Sequence, residues 1–389
     1  MYIGQFGDSF WPVVDGVGRV MYSYAETLTQ MGHRVTTAAP RYNKELPEDC
    51  NFVFLTYRGV PIPRAKPYRM AFPGLDILYR HRMSPMRFDI AHAHSPFMAG
   101  MEALRVARKQ VIPLVGTFHS KFYDDFLKIT GSQTAATMAK KWVVSYFRRC
   151  DEVWAVNEGT AQVLRDYGFD GEIIIMPNGV SVRPPDMSAV ADAKRQFAIA
   201  DGPVLLYVGQ INWKKNVRLI LEACAGLKSE GRKFQLVLAG QGPDEHAIAE
   251  LVHMLGLAPV TVFAGHVTDY RLLSGLYAWA DLFLFPSLYD NAPMVLREAA
   301  AMGTPAVLVR GSDAADVIAE GENGFLCEND VDSLKGVIAK ALDNPNLREI
   351  GRRASETIPV DWPVILRQVI HRYERLIERG PKHKGVLLP

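Results

Sequence analysis

Two carboxylates, Asp290 and Glu298, share the stretch FLFPSLYDNAPMVLREAAAMGTP, Phe283 to Pro305. FLF reads as the end of a buried strand. Asp290 and Asn291 are helix-capping residue types and Pro293 suits a first helical turn. A helix is therefore expected over about 293–302, ended by Gly303 and Pro305. Met294, Val295, Ala301 and Met302 lie one turn either side of Glu298, which puts its carboxylate on a stripe that should be buried. Arg297 can point to solvent. A buried acid is costly unless something pairs with it, and the helix N-terminus near Asp290 favours anions. Two readings stand at this point: one capping Asp with a half-exposed Glu, or the floor of an active site.

Other chemistry-bearing residues sit at the ends of expected strands. Lys214 and Lys215 precede a helix expected over about 216–227, where the helix dipole disfavours cations. A bound anion would resolve the conflict; two side chains reaching into water would also do so. Gly16 and Gly18 open a helix expected to run to about Gln30. The glycines do not complete GxGxxG, since Met21 holds the last position, so a dinucleotide site is poorly supported. Gly16 either lets backbone approach a phosphate or makes a plain tight turn. His119 follows a strand expected over 111–116, at the edge where ligands bind in open α/β sheets. There it donates to a hydroxyl or phosphate, or serves structure. His92 and His94 alternate along a strand with no third ligand nearby, which points to packing. Asp330 and Asp332 resemble a metal-binding DxD pair but directly precede a helix, so capping is expected.

These residues need a scaffold of alternating strands and helices. Strands at 2–6, 33–39, 89–94, 111–116, 152–156 and 173–176 give one doubly wound domain. A new series starts at Val204, with strands at 204–208, 236–239, 260–263 and 306–309. The proline-bearing SVRPPDMS marks a linker, placing domains at 1–180 and 181–362. The last helix begins at Trp362 with Val364, Ile365, Val369, Tyr373, Leu376 and Ile377 on one stripe.

An acid, seven residues and a Glu opening a helix that runs into Gly303-Thr304-Pro305 resemble the signature of retaining glycosyltransferases of the GT-B fold, family 4. The resemblance spans nearly the whole chain. It implies two Rossmann-like domains facing a central cleft, with the final helix, about 363–389, crossing back to the first domain. It assigns Glu298 to the donor ribose, Asp290 to the donor sugar, and Asn291, Ala292, Pro293, Met294 and Val295 to sugar and phosphate through their backbone. Gly16 faces the donor phosphates, His119 the donor sugar, Lys215 the diphosphate, and Val267 the nucleobase by backbone contacts. Two positions depart from the family pattern. Asp290 stands where Glu is usual, with Ala292-Pro293 after it in place of Phe-Gly. Gln210 stands where the family carries an Arg on the diphosphate.

The implied reaction is hexosyl transfer with retention from a nucleotide-sugar, UDP-linked or GDP-mannose, to an acceptor hydroxyl. No cofactor and no metal are required, because fixed donors neutralise the diphosphate. Rivals are an epimerase, a hydrolase or a non-catalytic nucleotide-sugar-binding protein. The 389 residues carry 48% hydrophobic and 22% charged side chains and a net charge of +2, which excludes a global pull toward nucleic acid. Four dispersed cysteines, with neither a signal peptide nor an apolar span, point to a cytoplasmic protein. Arg58, Arg64, Lys66, Arg69, Arg80, Arg82 and Arg87 face a single acid, Asp76, and interleave with Tyr57, Tyr68, Met70, Phe72, Leu75, Ile77, Leu78 and Tyr79. Lys140, Lys141, Arg148 and Arg149 interleave with Trp142, Val143, Val144, Tyr146 and Phe147. Together they suggest a peripheral enzyme on an anionic membrane with a lipid acceptor, or a soluble acceptor with the aromatics packed inside. The sequence sets no oligomeric state.

Overall fold

The runs VLLYV at Val204–Val208 and LFLF at Leu282–Phe285 have no polar face, and every residue in them is buried. Such strands need cover on both sides, which a parallel sheet flanked by helices supplies. The computed structural model describes residues 1–10, 15–42, 50–62, 68–119, 121–182, 186–199 and 202–382. It divides into two units, Met1–Asn178 with Trp362–Pro389, and Gly179–Asp361.

The first unit contains β1 (Tyr2–Phe6), β2 (Arg34–Pro40), β3 (Val53–Tyr57), β4 (Gly59–Pro61), β5 (Arg69–Ala71), β6 (Ile90–Ala93), β7 (Leu114–Phe118), β8 (Glu152–Ala155) and β9 (Ile174–Ile175). Seven of them form a parallel sheet in the order β3-β2-β1-β6-β7-β8-β9, while β4 and β5 make a separate antiparallel hairpin. The order reverses between β1 and β6, and ligands bind at such a switch point, beyond the carboxyl ends of the strands. The strand expected from Val111 begins only at Leu114. Val111 instead ends the helix Met98–Gln110 in a left-handed conformation, φ 56°, with its N–H on the last carbonyls of that helix.

The second unit contains β10 (Val204–Val208), β11 (Gln235–Ala239), β12 (Thr261–Gly265), β13 (Leu282–Phe285), β14 (Ala306–Val309) and β15 (Gly324–Cys327). Their order is β12-β11-β10-β13-β14-β15, all parallel, with the switch between β10 and β13. Gly240 and Gly242 must be glycine. A Cβ on Gly240 would lie 1.8 Å from Gly209 O, and one on Gly242 2.1 Å from Ile211 O. The loops after β10 and β11 therefore press together backbone to backbone at the carboxyl edge. Asp330 caps the helix Val331–Leu342 by accepting from Ser333 N at 2.8 Å, the role expected of it.

The final helix, Trp362–Arg379, packs into the first unit as expected. The Tyr373 hydroxyl is hydrogen-bonded to His92 Nδ1 at 2.6 Å, and its ring stacks on Trp154 at 5.7 Å between centroids. Arg372 donates to Glu152 at 2.9 Å, and Trp362 meets Tyr24 edge-on. His92 and Tyr373 are both fully buried. Tyr373→Phe would leave a buried ring nitrogen without its partner, at a cost of about 1–3 kcal/mol. A lowered urea midpoint for the first unit is the expected result; an unchanged midpoint would show that the helix does not depend on this bond.

Candidate active site

At the switch point of the second unit, two loops meet. The loop after β10 carries Gln210 and Lys215, and the loop after β13 carries Asp290. Lys215 Nζ lies 2.5 Å from Asp290 Oδ1, with both side chains largely buried. Ser287, fully buried, donates to the other Asp290 oxygen at 2.6 Å. Asp290 is thus held as an ion-pair partner, and it is not the helix cap that its type suggests. The helix Met294–Ala301 begins at Pro293, whose side chain can accept nothing, so its first-turn N–H groups receive no side-chain cap. Asn291 is buried, and Ala292, Pro293 and Val295 are half-buried along the same approach.

Asn212 and Asn216 shape the lysine loop. Asn212 accepts from Lys215 N at 3.2 Å and donates to the Gln210 side-chain oxygen at 3.0 Å. Asn216 takes a left-handed conformation, φ 59°, and donates to Pro286 O at 3.1 Å, tying the two loops together. The ammonium groups of Lys214 and Lys215 lie 4.6 and 5.3 Å from the centre of the Tyr289 ring. Aromatic and carboxylate contacts together offset the poor placement of these cations near a helix start. Gln210 itself is exposed at the loop tip.

Glu298 is 3% exposed and accepts from the Tyr277 hydroxyl at 3.1 Å. Its placement on the buried stripe follows the sequence. Arg297 corrects the sequence reading: it turns back to donate to Ile358 O at 2.8 Å, and burial lowers its pKa. Val267 is half-buried against the second unit's core, after β12.

Gly16 and His119 belong to the first unit, at the same edge of its own sheet. Gly16 begins the helix Gly16–Gln30, whose cap Asp15 accepts from Gly18 N at 2.7 Å. Gly16 is exposed, and a Cβ there would touch nothing among the described residues. Among the described residues, no packing demands glycine at this position.

His119 follows β7 and His94 follows β6, and because those strands pair, the two imidazoles meet. His94 Nδ1 lies 3.2 Å from His119 Nε2, and His94 Nε2 lies 2.7 Å from Gln5 Oε1. His92 is hydrogen-bonded to Thr117 at 2.7 Å as well as to Tyr373, so it serves packing, as expected. Burial pushes the His119 pKa down to about 3 and lowers those of His92 and His94 too. All three are neutral around pH 7.

Family models agree with this geometry. Residues 14–183 match the model described as Glycosyltransferase Family 4, and residues 189–357 match Glycosyl transferases group 1. The chain belongs to glycosyltransferase family 4. The transferase is 26% identical to the alpha-monoglucosyldiacylglycerol synthase of Streptococcus pneumoniae, over 90% of this chain and 80% of that protein. It is also 26% identical to a GDP-mannose-dependent alpha-mannosyltransferase of Corynebacterium glutamicum, over 97% and 89% of the two chains. Among solved structures, HepE of Anabaena with UDP-glucose superposes with a TM-score of 0.78 at 17% identity, over 96% and 99% of the two chains. The fold is GT-B.

Several residues of the candidate site escape a reading by spacing. Ser287, Tyr289, Tyr277 and Asn212 act through contacts that only the folded chain makes. Asp8 is another: it accepts from Ser95 and from Ala99 N across the β1–β6 switch, and burial raises its pKa. The histidine cluster leads to one expectation. Burial disfavours the charged imidazole, so the His119 C2–H resonance should hold its pH 8 position down to pH 5. An inflection near the ordinary value of about 6.5 would contradict a neutral buried ring.

Proposed function

We propose that this enzyme transfers a hexose, with retention, from a nucleoside-diphosphate sugar to a hydroxyl of a membrane lipid. The observation that carries the acceptor class is a set of exposed apolar side chains set among arginines. Leu75 and Ile77 are 81% and 79% exposed, and Val60, Met70, Phe72 and Leu78 are exposed beside them. A large exposed apolar patch marks an interaction surface, and the S. pneumoniae relative is named for a glycolipid. The remaining residues of the two basic segments divide. Tyr57, Tyr79, Val143, Val144, Tyr146 and Phe147 are core, and Arg64 and Lys66 lie outside the described residues.

On the donor side, Glu298 accepts ribose hydroxyls and Lys215 with Gln210 takes the diphosphate. The segment Asn291–Val295, leading into the uncapped helix Met294–Ala301, adds backbone N–H groups at every residue but Pro293, and Val267 holds the base through its backbone. A UDP-sugar is the favoured donor, given the UDP-glucose in HepE; GDP-mannose is the alternative. Binding requires the diphosphate to compete with Asp290 for Lys215, which frees the Asp290 carboxylate for sugar hydroxyls. Departure of the nucleotide is stabilised by fixed donors, and the acceptor oxygen attacks from the same face. Neutral His119 hydrogen-bonds a sugar hydroxyl. Fixed cationic and N–H donors make a metal unnecessary in this reading. No described helix is long and apolar enough to cross a membrane, and the exposed apolar surface of the first unit supports a peripheral position on the cytoplasmic face of a membrane.

Incubation with a donor panel and a total-lipid acceptor mixture, read by product mass, tests the whole reading. A hexosylated lipid is expected. Products formed only on water-soluble sugars would end the lipid assignment, and donor consumed without any acceptor would indicate a hydrolase or epimerase.

Glu298→Gln and Glu298→Ala should weaken nucleoside-diphosphate binding, the latter by about 1–3 kcal/mol. Lys215→Ala should lower kcat/KM more than Lys214→Ala. Unchanged calorimetric affinity in the folded Glu298 variants, or equal losses from both lysines, would remove those roles. Gly16→Ala should leave the urea midpoint unchanged yet cost on the order of tenfold in donor affinity, about 1.4 kcal/mol. Full affinity in that variant would show that no phosphate approaches the backbone there.

A further inference from the structure

Gln5 on β1, His92 on β6 and Val115 on β7 stand opposite one another in the first unit's sheet. Successive residues of a strand alternate faces, so Gln5, His92, His94, Thr117 and His119 share one face. On that face Tyr24 of the helix Gly16–Gln30 meets His92 and His94 edge-on, with centroids 5.7 and 5.2 Å away. Two lines of polar contact cross the sheet beneath it. In one, His92 sits between the hydroxyls of Thr117 and Tyr373. A hydroxyl donates or accepts, so these partners leave the His92 proton free to choose its nitrogen. The line nearer the carboxyl edge differs. It runs from Gln5 Oε1 to His94 Nε2, 2.7 Å apart, and from His94 Nδ1 to His119 Nε2, 3.2 Å apart.

An amide oxygen only accepts. His94 Nε2 therefore carries the proton that faces Gln5. Burial keeps His94 neutral, and a neutral imidazole holds a single N–H. His94 Nδ1 is then bare and accepts, so His119 Nε2 must donate to it. His119 is neutral for the same reason, which makes its Nδ1 the bare, accepting nitrogen. Exposure rises along the line, from a fully buried Gln5 through His94 at 2% to His119 at 9%. The line thus starts inside the sheet and ends at the carboxyl edge, where ligands of such sheets bind.

We infer that Gln5, acting through His94, sets the tautomer of His119, so that His119 meets the donor sugar with a bare Nδ1 that accepts a hydrogen bond from a hydroxyl. Gln5 and His94 are positioning residues for that contact. In the opposite tautomer His119 would donate, and the same hydroxyl would have to turn a lone pair toward it. This role rests on His119 meeting the donor sugar, as proposed above.

Long-range proton–nitrogen NMR of the full chain, isotope-labelled at histidine and free of donor, reads the tautomers directly at about pH 8, where ordinary histidine is neutral. His94→Gln and His119→Gln assign the signals by their disappearance. Nε2–H is expected on both rings. Gln5→Leu removes the amide, and the His119 signal should relax to a mixture of tautomers. Its kcat/KM should fall on the order of tenfold, one hydrogen bond's worth, while nucleoside-diphosphate affinity holds. Gln5→Glu returns an acceptor to His94 and should restore both the Nε2–H tautomer and most of the activity; a packing role for Gln5 would not separate the two substitutions in this way. Nδ1–H on His119 in the unsubstituted chain would overturn the inference, and so would an unchanged tautomer or full kcat/KM in Gln5→Leu. Unchanged kcat/KM in His119→Ala would withdraw the donor-sugar reading, and this role with it, even with the tautomers as expected.

Discussion

A parallel sheet covered by helices on both faces has no room for unpaired charge, and this constraint places every candidate site residue of the transferase. Lys215 and Asp290 accordingly stand beyond strand ends, whereas Glu298, buried on its helix, is met by the Tyr277 hydroxyl. Both sheets reverse their strand order once, and the helices on either side of each reversal part there. In the second unit that point gathers Gln210, Lys215 and Asp290; in the first it gathers the ends of β1 and β6, with His119 one strand further on at the end of β7. The close backbone approach at Gly240 and Gly242 belongs to the same economy, since a side chain there would push the two loops apart.

The electrostatics of the two edges differ in kind. The second unit holds a largely buried ion pair, Lys215 with Asp290, flanked by the Tyr289 ring and an uncapped helix start. Lys215 is held by Asp290 and faces the Tyr289 ring, and Asp290 is held by Lys215 and Ser287. The first unit presents buried imidazoles at its edge instead. Its buried imidazoles are held neutral by desolvation and joined by hydrogen bonds to Gln5, Thr117 and Tyr373. Such an edge suits hydroxyl groups, which need hydrogen bonds and no counter-charge.

The same first unit turns a different face outward. Asp76 is buried as the cap of the helix Ile77–Met83 and accepts from Arg58 N and Tyr79 N. That single acid fixes the helix so that Tyr79 and Met83 point inward while Ile77 and Leu78 point outward. Apolar exposure on this surface follows directly from how the helix is pinned.

The sequence by itself determined the two doubly wound units, the helix bearing Glu298 and the buried stripe beneath it, because periodicity and caps are local properties. It also placed the last helix, whose stripe ends in the Tyr373 that reaches His92. It misjudged features that depend on distant partners. Asp290 reads as a cap by type, but Lys215, seventy-five residues earlier, claims it. Arg297 reads as a solvent residue, but a carbonyl sixty-one residues later accepts its guanidinium. The helix around residue 140 reads as a basic aromatic surface, yet most of its aromatics are core, because composition does not say which face a helix buries. Ion pairing, burial of a titratable ring and the choice of outward face are set by what the fold brings within a few ångströms, and only the tertiary structure decided them.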